Sequence, residues 1–213
     1  MGEPTVAEVG LRLAESFELD RQWRMTMDLP EGDTKEPALR LICALLDRER
    51  VAYAVIGGLA VQLHSQEPRT TRDIDLAVKT FDDVPSRPLQ AAGFEYAGRF
   101  AHSDNWYAPG AGPAELRTPV QFSVEEIAAG LVDRASVVML GAVPLRLVTS
   151  ADLLLLKLRA AGDPSRRSSK RATDVADILR LVEDDPTLRD SVPDFSSQLG
   201  RIQARILGSE DGR

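Results

Sequence analysis

The apolar positions change period along the chain. Between Glu36 and Arg50, Leu39, Leu41, Ile42, Leu45 and Leu46 recur at helical spacing and predict an amphipathic helix. Val6 to Phe17 carries a weaker version of that pattern and predicts another helix. Asp28 to Thr34 brings Pro, Gly and Asp together and reads as a loop. Val51 to Ile56 is a continuous apolar run, expected to be a buried strand, stopped by Gly57-Gly58. Leu59 to Ser65 reads as a helix leaving that turn. Asp73 to Val78 alternates polar and apolar positions, as a half-buried strand does.

Further on, Val84 to Ala92 predicts a helix and Gly93 to Tyr96 a strand. Ala101 to Pro113 holds Gly and Pro turn signals around Trp106 and Tyr107 and reads as a loop or an irregular hairpin. Pro119 to Ser123 reads as a strand followed by a helix over Val124 to Leu131. Val137 to Leu140 and Val143 to Val148 flank Gly141-Ala142 as a hairpin. From Ser150 the pattern is helical. One helix runs from Ala151 to Ala161, a second from Ser168 or Ser169 to Leu181 or Glu183, and a third segment opens at Pro186 and continues from Ser196 to Leu207. The expected organisation is an N-terminal extension over 1–35, an α/β domain over 36–149 and a helical portion over 150–213. No internal repeat is visible.

Composition narrows the class. A chain of 213 residues with 43% apolar and 28% charged residues can bury one sizeable core. Its net charge of −7 argues against holding nucleic acid through bulk positive charge, while leaving room for a local basic groove. The single cysteine, Cys43, excludes an internal disulfide and a cysteine zinc site, and its apolar surroundings predict a buried, inert thiol. The first residues carry no basic and apolar leader, and the longest apolar stretch, around Leu153 to Leu156, is far short of the ~20 residues that span a bilayer. The expected location is the cytoplasm, with no membrane partner.

The candidate chemistry lies between Gly57 and Asp75. A strand ends in Gly57-Gly58, a helix follows, and the next strand carries Asp73-Ile74-Asp75, an arrangement expected to form a βαβ unit. Two glycines at a strand-to-helix turn let backbone N–H groups approach an anion closely, and the helix N-terminus adds a favourable dipole. Residues two apart on a strand share a face, so Asp73 and Asp75 project together. Paired carboxylates suit Mg²⁺ (or Mn²⁺), which completes its shell with water and phosphate oxygens. A phosphate cradle beside such a pair is what metal-assisted phosphoryl or nucleotidyl transfer requires.

These residues carry a resemblance. Gly57-Gly58 followed by Arg69-Thr70-Thr71-Arg72-Asp73-Ile74-Asp75-Leu76 resembles the first motif of the DNA polymerase β-like nucleotidyltransferase superfamily, in the version of the AbiEii-type branch, which includes toxins of toxin–antitoxin systems. Lys157, with Lys170-Arg171-Ala172-Thr173-Asp174-Val175-Ala176-Asp177, resembles that branch's later motif. The resemblance spans roughly Val51 to Leu181. It implies an α/β (α+β) fold: a mixed sheet flanked by helices, then a helical C-terminal portion. It also implies Gly57 and Gly58 against the triphosphate of an NTP substrate, with Arg69, Thr71 and Arg72 as further nucleotide contacts. Asp73 and Asp75 would hold Mg²⁺, Lys157 would contact a phosphate or the acceptor, and Asp174 would orient the site. The reaction would be attack by an RNA or protein hydroxyl on the α-phosphorus, and an antitoxin is the implied partner.

Other readings of the same residues stand beside these. Lys157 also fits a lysine snorkelling from a buried helix. Asp174 and Asp177, three apart, share a helix face and fit ion pairs with Lys170 or Arg171 and with Arg180. Arg69 and Arg72 fit either a phosphate contact or an ion pair with an aspartate. Arg159, Arg166, Arg167, Lys170 and Arg171 are expected either to edge a basic groove or to form a solvated loop. Trp106 and Tyr107 fit base stacking or the pinning of a loop to the core. His64 and His102 have no ligand or catalytic spacing and read as structural.

One position departs from the family. Active members carry a third acidic residue on a later strand, and the aligned position here is Gln121, which is neutral and a poor base. Glu115 shares its strand parity but lies about 20 Å away on a continuous strand. Asp104 in the preceding loop, and Glu125 and Glu126 in the next helix, are the other acids near it. Two functions therefore stand open: a working nucleotidyltransferase, toxin-like in character, or a catalytically lapsed module that keeps the fold and binds or regulates.

Overall fold

The computed structural model describes residues 4–29, 33–67, 69–124 and 127–208. It divides into two compact units, Pro4–Thr149 and the chain from Ser150 onward.

In the first unit, two helices precede the sheet. Helix α1 (Val6–Thr26) starts in a capping box, with the Thr5 hydroxyl accepting from the Glu8 N–H and the Glu8 carboxylate accepting from the Thr5 N–H. It runs nine residues beyond the predicted Phe17 because it buries charge. Arg24 Nε faces Asp20 at 3.7 Å, one turn apart, with both side chains almost wholly enclosed. A sequence pattern scores such positions as polar and therefore misses the inner face. Helix α2 (Lys35–Arg48) buries Leu39, Ile42, Leu45 and Leu46 as its spacing requires, together with Cys43.

Seven strands form one mixed sheet among the described residues. They are β1 (Tyr53–Ile56), β2 (Ile74–Val78), β3 (Glu95–Arg99), β4 (Ser103–Tyr107), β5 (Pro119–Ser123), β6 (Ser136–Leu140) and β7 (Val143–Leu147), in the order β3-β4-β5-β2-β1-β7-β6. Helix α3 (Gly57–His64) joins β1 to β2, α4 (Ser86–Ala91) precedes β3, and α5 (Ala128–Arg134) follows β5. The expected βαβ unit is corrected here: β1 and β2 are antiparallel neighbours, while β2 pairs parallel with β5. A helix of eight residues returns the chain to the adjacent strand without the long crossover that a parallel pair needs. The segment Ala101 to Pro113 contains β4, which forms a hairpin with β3 and pairs with β5. The predicted helix start at Glu125 and Glu126 lies outside the described residues.

One face of the sheet is apolar. Tyr53, Val55, Ile74, Leu76, Val120, Phe122 and Trp106 alternate onto it and are buried. Cys43 packs into this core, and burial pushes its thiol up to about 12. His64 is buried with Nε2 2.7 Å from the Val148 carbonyl, a structural bond.

The second unit contains α6 (Ser150–Gly162), α7 (Ser168–Asp184), a 3-10 turn at Pro186–Ser191 and α8 (Phe195–Ile206). Leu153, Leu154 and Leu158 of α6, Ile178 and Leu181 of α7, and Phe195, Leu199 and Ile202 of α8 are buried. Among the described residues no helix is long and apolar enough to cross a membrane.

Candidate active site

The site forms where β1 ends. Ile56 pairs with Asp75, so the turn after β1 lies beside the start of β2. Gly57 takes a φ of +67°, a conformation that L side chains rarely adopt. A Cβ at Gly57 would overlap the Asp75 carboxylate, coming within 2.6 Å of its Cγ. A Cβ at Gly58 would overlap the Arg69 guanidinium and approach Thr71 Oγ1 to 2.8 Å. Each glycine therefore admits one functional group of the downstream motif, a carboxylate at Gly57 and a guanidinium at Gly58. Asp73, one residue before β2, is half-buried and shares the face of Asp75 by strand alternation.

Cross-strand register extends this face. Asp75 pairs with Gln121 of β5, and Gln121 pairs with Asn105 of β4. Ile56, Asp75, Gln121 and Asn105 thus form one row across four strands, and the last three are half-buried. Gln121 Nε2 donates to Ser123 Oγ at 3.3 Å, and Asn105 Nδ2 donates to Ser103 Oγ at 3.1 Å. The neighbour of Asp75 is a neutral amide.

Asp104 is not a substitute acid. It pairs with Phe122, one residue out of phase with the site row, and so points to the apolar face. It is wholly buried there and accepts from Arg99 at 2.6 Å, while Arg99 lies over the Phe81 ring at 4.5 Å. Trp106 shares that face, buried against Tyr96 with ring centroids 5.0 Å apart. Glu115 lies in a 3-10 turn at Ala114–Leu116, off the strand.

Lys35 is the site's unforeseen member. It begins α2, is 1% exposed, and donates from Nζ to the Thr71 carbonyl at 3.0 Å. Burial lowers its pKa to about 8; Arg69 lowers it further, while Asp20 and Asp73 pull the other way. Its sequence position, after Gly, Asp and Thr in a loop, carries no periodic signal. Arg72 is exposed, donates to the Glu115 carbonyl at 3.2 Å and lies 5.4 Å from the Trp23 ring centroid.

In the second unit, Lys157 Nζ lies 3.0 Å from Asp174 and 2.7 Å from Asp177, all three buried. Arg166 reaches Asp174 at 3.0 Å, and Arg180 reaches Asp177 at 3.6 Å. Arg171 is buried, donating from Nε to the Ala161 carbonyl at 2.8 Å, and so joins neither the basic edge nor the solvated loop considered for it.

Comparison with solved structures decides the fold. An antigenic nucleotidyltransferase-like protein from Paracoccidioides brasiliensis superposes with a TM-score of 0.51 at 20% identity, over 78% of this chain and 91% of that one. The chain has a nucleotidyltransferase fold. A lincosamide antibiotic adenylyltransferase, LnuA, bound to lincomycin, matches over 69% of this chain and 98% of that one, with a TM-score of 0.47 and 14% identity. Neither protein-family descriptions nor curated protein sequences give a match.

Within this nucleotidyltransferase fold, the donor set fits a hard cation. Asp73 and Asp75 offer two carboxylates on one face, and Mg²⁺ commonly takes one or two carboxylates and fills its shell with water and phosphate oxygens. Among the described residues no group of three or more His, Cys, Asp or Glu is placed to hold a metal.

Proposed function

We propose that this chain is a nucleotidyltransferase that moves a nucleoside monophosphate from an NTP to an acceptor hydroxyl. One observation carries the reading: the Asp75 carboxylate and the Arg69 guanidinium occupy the space above Gly57 and Gly58, where any other residue would place a Cβ. In this reading the carboxylate takes a divalent cation and the guanidinium takes a phosphate at one strand-to-helix turn.

In this reading Asp73 and Asp75 hold Mg²⁺, which when bound offsets the charge of the triphosphate. The N–H groups at the start of α3 and the Arg69 guanidinium bind phosphate oxygens. Lys35, through the Thr71 carbonyl, holds the segment that carries Arg69, Thr71 and Asp73 in place. Arg72 joins the phosphate contacts by leaving the Glu115 carbonyl. Lys157 links α6 to α7 through Asp174 and Asp177, and a role for it toward a phosphate or an acceptor rests on the motif resemblance alone. The AbiEii-like character, a toxin role, an RNA or protein acceptor and an antitoxin partner rest on the motif resemblance over Arg69 to Leu76 and Lys157 to Asp177.

Gln121 favours a second reading. Its amide lies in register with Asp75, where an acid would help take the proton from the acceptor. A neutral amide cannot take that proton, and a chain that binds nucleotide without transferring it would tolerate glutamine there.

The test uses purified chain, each α-labelled NTP, Mg²⁺ or Mn²⁺, and total cellular RNA and protein. Label appearing on RNA or protein with the wild type, and not with an Asp73→Ala/Asp75→Ala variant, is the expected result. Equal label from both proteins, each shown to be folded, refutes transfer and leaves the binding module.

A further inference from the structure

A cleft of about 150 Å³ opens between the C-terminal half of α1, the first turn of α2 and the segment leading into β2. Its lining mixes chemistries. Leu19 and Trp23 supply apolar surface, with the Arg72 guanidinium 5.4 Å from the Trp23 ring centroid. Ser16, Asp20 and Lys35 supply polar atoms, and all three are more than nine-tenths buried. Asp20 is engaged, accepting the Lys35 backbone N–H at 2.6 Å and facing Arg24. Ser16 is not: its Oγ is buried and has no hydrogen-bond partner among the described residues. A hydroxyl left so costs stability unless a ligand or water completes it.

The lining selects the ligand. A lipid or aliphatic chain would leave the Ser16 hydroxyl unsatisfied. A bare phosphate would make no use of Trp23 and Leu19. What fits is a planar ring with donors and acceptors on its edge, and the volume suits one ring, since a dry cavity of about 150 Å³ holds benzene. The ring would reach this cleft tethered to its phosphates, because Thr71 and Arg72 of the lining directly precede Asp73 in the chain.

We propose that this cleft is a nucleobase pocket, with the base against Trp23 and its edge on Ser16 and Lys35. The proposal rests on the reading of Gly57 to Asp75 as the phosphate and metal site. The base comes either from the NTP or from the end of an RNA acceptor, and the cleft presents the same chemistry to both.

The experiment follows tryptophan emission and binding affinity of the full chain with Mg²⁺ during three titrations: inorganic tripolyphosphate, each of the four NTPs, and short RNA oligonucleotides differing in their 3′ base. Expected is quenching by NTPs or by oligonucleotides that is absent in Trp23→Phe, whose one remaining tryptophan is the buried Trp106, and no quenching by tripolyphosphate. Quenching by NTPs assigns the base to the donor, and quenching by oligonucleotides assigns it to the acceptor. Ser16→Val and Trp23→Ala should each weaken the quenching ligand about tenfold, the range of one base–aromatic stack, and leave tripolyphosphate binding unchanged. Trp23 is 37% exposed, so its variant carries the test should Ser16→Val fail to fold. Nucleotide that binds no tighter than tripolyphosphate and quenches nothing overturns the pocket and spares the phosphate site, as do wild-type affinities in both variants. Loss of tripolyphosphate and nucleotide binding alike overturns the phosphate site and the pocket with it.

Discussion

At the residue scale, the site depends on two positions where a side chain is missing and one where a charge is missing. The glycines and aspartates lie in one short stretch, and their meaning follows from strand alternation and turn chemistry alone, which is why Gly57, Gly58, Asp73 and Asp75 were legible in the sequence. Lys35 was not, because its importance comes from burial beside Thr71, thirty-six residues away. Gln121 was legible as a departure, and its register with Asp75 turns the departure into a prediction. Gln121→Asp should raise transfer by about a hundredfold, the scale of a general base, read as label incorporated per minute. Asp104→Asn should leave that rate within twofold, since Asp104 lies on the other face; a collapse of activity with the fold intact would reverse this assignment. Cys43 belongs to the same scale. Its thiol, buried and raised to about 12, should resist a thiol-specific reagent at pH 8 in the native chain and react at once in denaturant.

At the element scale, strands with strict alternation were readable to the residue, as at Pro119–Ser123. Two elements were not. β4 begins after a turn and ends before a Pro- and Gly-rich loop, so its five residues read equally as that loop or as an irregular hairpin, and the hairpin with β3 is what forms. The C-terminal half of α1 hides its inner face behind the enclosed pair of Asp20 and Arg24. In the second unit, α6 and α7 are tied by Lys157 between Asp174 and Asp177. Lys157→Met leaves two buried carboxylates without that ammonium and should cost about 3 kcal/mol, seen as a lower urea midpoint. Combining it with Asp174→Asn and Asp177→Asn should restore part of that loss, because the uncompensated charges are then gone.

At the scale of the whole molecule, the fold class was legible because helical and alternating patterns switch at clear boundaries. The pairing of β2 with β5 was not, because it joins residues about forty-five apart and no local pattern encodes it. Lys35 links this scale to pH. Folded, it titrates at about 8 against 10.5 for an unhindered lysine. Between those values the unfolded chain holds more protons than the folded one, so stability rises as pH rises through that window. The rise amounts to about 3 kcal/mol. Lys35→Met should flatten this rise. Chemical denaturation of both proteins at pH 7 and at pH 10 measures it, and equal slopes would mean that Lys35 keeps an ordinary lysine pKa.

The occupied space above Gly57 has a genetic consequence. Every codon one base away from a glycine codon specifies glycine, a residue with a Cβ, or a stop, so position 57 has no silent route to a different amino acid. A left-handed φ costs a substituted residue roughly 1–2 kcal/mol, a loss that many folds survive. Displacement of the Asp75 carboxylate has no comparable remedy. Scoring all substitutions at position 57 twice, once for abundance in the cell and once for label transferred from an NTP, therefore separates a carboxylate in use from a retired one. Variants at 57 that remain abundant yet lose transfer mark a carboxylate still at work.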